Sequence, residues 1–162
     1  MIKKIIFTLS LLFLFSQSSF SAGSSDSSKK NIDINYKKAV KLIKKAKKLD
    51  KKNDTKKAKD NYQKALEYLV VAFNKNANDA DTLNYLGYTS RKLEDYKNAE
   101  LYYLMGLKID PKHFGINEYL GELYVITDRK DKAKERLKVL ENCNCKEYKE
   151  LKNAINTGNS KY

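Results

Sequence analysis

The stretch NYLGYTSRKLEDYKNAELYYLMGLKIDP, from Asn84 to Pro111, decides the fold. It holds the chain's single proline, two glycines and a cluster of tyrosines inside what otherwise reads as helix. A glycine in mid-helix costs about 1 kcal/mol relative to alanine. Its presence therefore asks for a reason in packing.

The reason lies in a period. Leu86-Gly87 returns as Leu120-Gly121, a step of 34 residues. Ala65, Ala99 and Ala133 keep the same step, as do Leu69, Tyr103 and Leu137, and Tyr62 with Tyr96. Self-similarity at this interval, with a Leu-Gly step, a downstream alanine, an aromatic four residues on and a closing proline, resembles the tetratricopeptide repeat. Each unit is then a helix–turn–helix hairpin. Gly87 and Gly121 mark where a second helix crosses closely, with Ala99 and Ala133 as the matching small residues. Tyr103 and Leu137 fill the space between repeats. Pro111 is expected to open the next helix, where a missing N–H does no harm.

The fold expectation is all-α: a right-handed solenoid of about three such units plus a C-terminal capping helix. The repeat domain spans 36–157. A degenerate first repeat covers 36–76, with helices near 36–49 and 55–75. The second covers 80–113, with helices near 80–92 and 96–110. The third covers 114–142, with helices near 114–127 and 130–142. The cap is 146–157 and a tail follows at 158–162. Departures from the family pattern are Ser90 for an aromatic, Gly106 for alanine and Leu140 for a small residue.

Upstream the composition changes. Lys3 and Lys4 precede an apolar run from Ile5 to Phe15, and small polar residues follow. Residues 1–21 have the form of a secretory signal peptide. The alternative is a membrane anchor, but the run is about half of what a spanning helix needs. No cysteine follows the run, so a lipoprotein is not expected, and the mature protein is expected in the periplasm or secreted. Residues 22–35 are Ser-rich and barely apolar, and are expected to be a disordered leader.

The chain carries a formal net charge of +13, with 33 basic and 20 acidic residues. Residues 29–64 hold 15 lysines against four acidic residues, so the excess sits on the first repeat. Lys37, Lys38, Lys41, Lys44, Lys45 and Lys48 fill the helix face opposite Val40, Ile43 and Ala46. Such a helix suits an anionic membrane surface or an acidic partner. The bland alternative is an AT-rich coding sequence in which lysine is the default solvent-facing residue. Nucleic acid is not expected as a partner, because the chain has three arginines and reads as exported.

The tetratricopeptide resemblance implies protein or peptide binding in the concave groove lined by first helices. Its groove positions carry over to Asn84, Tyr88, Arg91 and Lys92, and to Glu118 and Glu122, with Tyr85 and Tyr119 beside them. The two glutamates would repel a C-terminal carboxylate, so an extended segment is the better expected ligand. The implied role is that of an adaptor or scaffold; the alternative is a peripheral envelope-surface binder acting through the lysine-rich first repeat.

Cys143 and Cys145 are the only cysteines. Disulfide, free thiols and a soft-metal site compete, with the disulfide favoured in an oxidising compartment. Two thiolates fall short of a closed zinc site. With one histidine, His113, and no phosphate-binding or nucleophile motif, no enzyme, metal or cofactor is expected.

Overall fold

The structure is a computed structural model that describes residues 25–160. The expected signal segment 1–21, the first residues of the leader and positions 161–162 lie outside the described residues. Seven helices follow one another there: α1 Ser25–Asp50, α2 Thr55–Lys75, α3 Ala80–Lys92, α4 Tyr96–Ile109, α5 Phe114–Ile126, α6 Lys130–Val139 and α7 Lys146–Thr157. Helices α1 and α2, α3 and α4, and α5 and α6 pack as consecutive hairpins, and α7 closes the stack against α5 and α6. No helix among the described residues is long and apolar enough to cross a membrane.

The three hairpin turns share one backbone device. Asn53, Glu94 and Asp128 adopt left-handed φ values of 59°, 67° and 57°. The next residue's N–H then reaches back five residues: Asp54 to the Leu49 carbonyl at 3.0 Å, Asp95 to Ser90 at 2.9 Å, Arg129 to Tyr124 at 2.7 Å. This closure satisfies carbonyls that the helix end leaves unpaired. Asp54 and Asp95 then cap the following helix by accepting from the Lys57 and Asn98 N–H groups.

The periodic alanines Ala65, Ala99 and Ala133 are all fully buried, as are Leu69 and Tyr103. Gly87 is the contact for the Tyr103 ring: a Cβ there would clash with the ring edge formed by Cδ1, Cε1 and Cζ. Gly121 is filled differently. Leu151 of α7, not Leu137 of α6, occupies its space, so a Cβ would meet Leu151 at 2.6 Å. Leu137 is only half-buried, so α7 does at the third repeat what α4 does at the second. The Tyr62–Tyr96 register is not a packing register, since Tyr62 is fully buried and Tyr96 is 39% exposed at the start of α4.

Two further expectations are corrected. Helix α1 begins at Ser25, so helix takes in most of the Ser-rich stretch expected to be disordered. Once a helix is nucleated, each added residue gains a hydrogen bond, and weak propensity alone does not stop it. Pro111 does not open a helix. The Asp110 carboxylate accepts from the Lys112 N–H at 3.0 Å and holds 110–112 as a turn. His113 is the cap of α5: its Nδ1 accepts from the Ile116 N–H at 3.1 Å, and its Nε2 lies 3.2 Å from Asp81.

Gly87→Ala tests the crossing. Helix propensity alone would favour alanine by about 1 kcal/mol, whereas overpacking against Tyr103 costs about 1–3 kcal/mol. Urea unfolding followed by circular dichroism should therefore show a net loss of stability. A stabilised variant would mean that the ring moves aside freely.

Candidate functional site

The first helices of the hairpins place their inner faces side by side, and one buried ion pair lies at the centre. Arg91 closes the last turn of α3, and Glu122 projects from the middle of α5. Arg91 Nη1 lies 3.1 Å from Glu122 Oε2, with side chains 2% and 0% exposed. Beyond the α7 cap, Gly158 turns the chain at φ 72°. Ser160 then comes back onto the pair. Its Oγ donates to Glu122 Oε2 at 2.9 Å and accepts from Arg91 Nη1 at 3.1 Å.

Aromatic rings form the floor. The Tyr88 and Tyr119 centroids are 5.1 Å apart. Lys47 Nζ sits 4.2 Å from the Tyr88 centroid and 5.8 Å from that of Tyr119. Arg91 approaches the same two rings at 5.8 and 5.6 Å. A cation over a ring face is attracted by its quadrupole, so Lys47 and Arg91 hold the two rings between them. Behind the floor, the Tyr88 hydroxyl is 3.5 Å from that of Tyr62, which donates to Asp50 at 2.8 Å. Burial pushes the pKa values of both tyrosines up, so both stay protonated.

Glu118 is a second buried carboxyl on α5. Burial, then the hydrogen bond to Glu150 and the charges of Glu122, Glu150 and Glu147, push its pKa up to about 9. At neutral pH it is therefore protonated and shares its proton with Glu150 of α7, tying the cap to α5.

These contacts correct the picture of an open groove. Asn84, Tyr88, Arg91, Glu118 and Glu122 are buried, and only Tyr85, Lys92 and Tyr119 are half-buried. Tyr88, Arg91, Tyr119 and Glu122 do come together. Tyr85 instead packs on Tyr36 of α1 at 5.7 Å, and Lys92 pairs with Asp50 at 2.9 Å. Nor do the two glutamates present two negative charges, since Glu122 is neutralised by Arg91 and Glu118 is uncharged at neutral pH. Sequence reasoning missed Lys47, Asp50, Glu150 and Ser160. Lys47 is one lysine among many in its segment, and Ser160 meets Arg91 across 69 residues of chain, where no local pattern reports it.

The remaining expected sites lie elsewhere. Lys37, Lys38, Lys41, Lys44, Lys45 and Lys48 are all exposed on α1. Cys143 and Cys145 are bonded to each other, with Cα atoms 5.1 Å apart. The Cys145 N–H donates to Cys143 Sγ at 3.2 Å, and Cys145 caps α7.

Comparison with known proteins agrees with this geometry. A profile of the MIT (microtubule interacting and transport) domain matches residues 36–98, less than half of the chain, and so marks a likeness of the first three helices only. No curated protein matches the chain. Solved structures do. The first TPR of Spaghetti (RPAP3) bound to the HSP90 peptide SRMEEVD is 16% identical, covers 76% of this chain and 91% of its own, and has a TM-score of 0.55. The Yersinia enterocolitica type III secretion translocator chaperone SycD is 17% identical over 75% of this chain and 89% of its own, at 0.53. The Arabidopsis OM64 TPR domain is 17% identical over 76% and 98%, at 0.50. None of the three is described as an enzyme. Period, hairpin turns and these likenesses agree that the fold is a tetratricopeptide solenoid.

The Glu118 carboxyl makes stability depend on pH. Its folded pKa, about 9, exceeds an unfolded value of about 4.3. The folded state therefore binds more protons between those values, and stability falls as pH rises from about 5 towards 9. Glu118→Gln should flatten that slope in urea titrations across the range and should be more stable than the parent at pH 8. An unchanged slope would show that Glu118 ionises normally.

Proposed function

We propose that the concave face binds an extended protein or peptide segment, and that the protein is an exported interaction module built for that purpose. One observation carries the reading. Residues 158–160 are non-helical chain, and Ser160 is seated on the Arg91–Glu122 pair by two hydrogen bonds to charged groups. The inner face thus already seats the side chain of one residue of non-helical polypeptide. The Spaghetti domain, which shares this fold, is described with a bound peptide. The export part of the reading rests on the sequence of residues 1–21.

In this reading residues 158–160 occupy the place of the partner, and partner binding displaces them. A hydrogen bond to a charged group contributes about 1.5–3 kcal/mol, so removing the Ser160 hydroxyl should raise apparent affinity by at least about tenfold. The half-buried Tyr119 and Lys47 at the edge of the floor would then contact the partner.

A 12-residue phage-displayed peptide library selected on the Ser160→Gly chain tests this. The peptides recovered should converge in sequence and bind the parent chain about tenfold more weakly. They should lose binding when Tyr119→Ala and Lys47→Gln are added, with helical circular dichroism unchanged. Peptides indifferent to those two substitutions, or no convergent peptides at all, would place the binding surface elsewhere.

A further inference from the structure

The first hairpin carries a second surface, separate from the concave face. At about 100° per residue, Lys64, Tyr68, Val71 and Lys75 fall on one line of α2. That line lies half a turn round from Leu66 and Phe73, and Phe73 meets Tyr102 of α4 edge-on at 6.5 Å. The line therefore faces away from the rest of the stack. Lys38, Lys41, Leu42 and Lys45 of α1 border it, and together with Lys64 and Tyr68 they line an open groove of about 480 Å³.

The groove has an apolar floor and a cationic rim. Leu42 and Tyr68 form the floor, with Lys38 Nζ 5.4 Å from the Tyr68 centroid. Ile34 and Val71 extend the apolar surface beside it, 41% and 42% exposed. Some lysines on other surfaces are paired: Lys57 with Asp54, Lys59 with Glu94 and Lys134 with Asp131, at 2.8–3.2 Å. Among the described residues, Lys38, Lys41, Lys45 and Lys64 have no carboxylate within ion-pair distance. Exposed lysines without an ion pair occur elsewhere too, and what sets these four apart is that they surround one apolar trough.

We infer that this trough docks the protein on an anionic lipid membrane, with the four ammonium groups at the level of the phosphates. The apolar floor and lysine stems then face the headgroup–acyl boundary, the arrangement in which long basic side chains snorkel. A second copy does not fit, because it would set four lysines against four. Residues 1–24 fit no better, since they carry Lys3 and Lys4 and no acidic residue. The inference is independent of the concave groove.

Co-sedimentation of the full chain with phosphatidylcholine vesicles containing about one-third phosphatidylglycerol tests it. Each lysine near such a surface changes binding about fivefold, so the Lys38, Lys41, Lys45 and Lys64→Gln quadruple variant should lose several-hundredfold of the partition coefficient. The same charge removed at the exposed Lys97, Lys108, Lys112 and Lys130 should cost less than about tenfold, because those groups stand away from the docked surface. Val71→Ser should weaken vesicle binding further while leaving heparin binding unchanged. Equal losses in the two quadruple variants would reduce the effect to net charge and overturn the assignment. So would displacement by millimolar inorganic phosphate at constant ionic strength, which would mark a site for free anions.

Discussion

The Arg91–Glu122 pair is the constraint on which the inner face of this solenoid depends. Burying two charges costs several kcal/mol per ion, and their mutual attraction does little more than offset that cost. The pair is therefore a poor source of net stability. What it does is fix geometry. It ties α3 to α5 across the inner face, sets the guanidinium over the Tyr88 and Tyr119 rings, and leaves one edge that Ser160 completes. Removing either partner alone would strand a buried charge, at about 3–5 kcal/mol. The stabilising weight lies instead in apolar burial along the hairpins. Fully buried Leu69, Leu83, Leu86, Leu120 and Leu123 contribute about 1.5–3 kcal/mol each.

The hairpins were legible because their cause is local and periodic. A period of 34, small residues at crossings and capping aspartates before α2 and α4 are all written in short windows. The turn residues Glu94 and Asp128 keep the same period, and both need left-handed φ although neither is glycine. Legibility failed where the deciding contact is long-range. Leu151 of the capping helix, and not Leu137, fills the space at Gly121, and spacing within the repeats carries no trace of it. Pro111 fitted a helix start by residue type, but the Asp110 side chain secured a turn instead.

The inner-face residues show the same divide. Family positions singled out Tyr88, Arg91 and Glu122, and these do converge. Sequence could not show that they converge on each other rather than on solvent. Opposite charges at positions 91 and 122 were visible, but the hairpin stacking that brings them to 3.1 Å was not. The lysine excess separated more cleanly. Lys47 turned inward to the tyrosine floor, while its neighbours stayed on the surface. One helix thus presents lysines to the surface and one lysine to the tyrosine floor of α3 and α5.

The central claim is that the concave face seats Ser160, in the non-helical segment 158–160, on the Arg91–Glu122 pair. Backbone ¹⁵N relaxation at Ser160 in the 162-residue chain tests it most directly. The account predicts an order parameter close to that of α7, about 0.85 for rigid backbone. A value below about 0.6, typical of flexible chain, would contradict the seating of Ser160 on the Arg91–Glu122 pair.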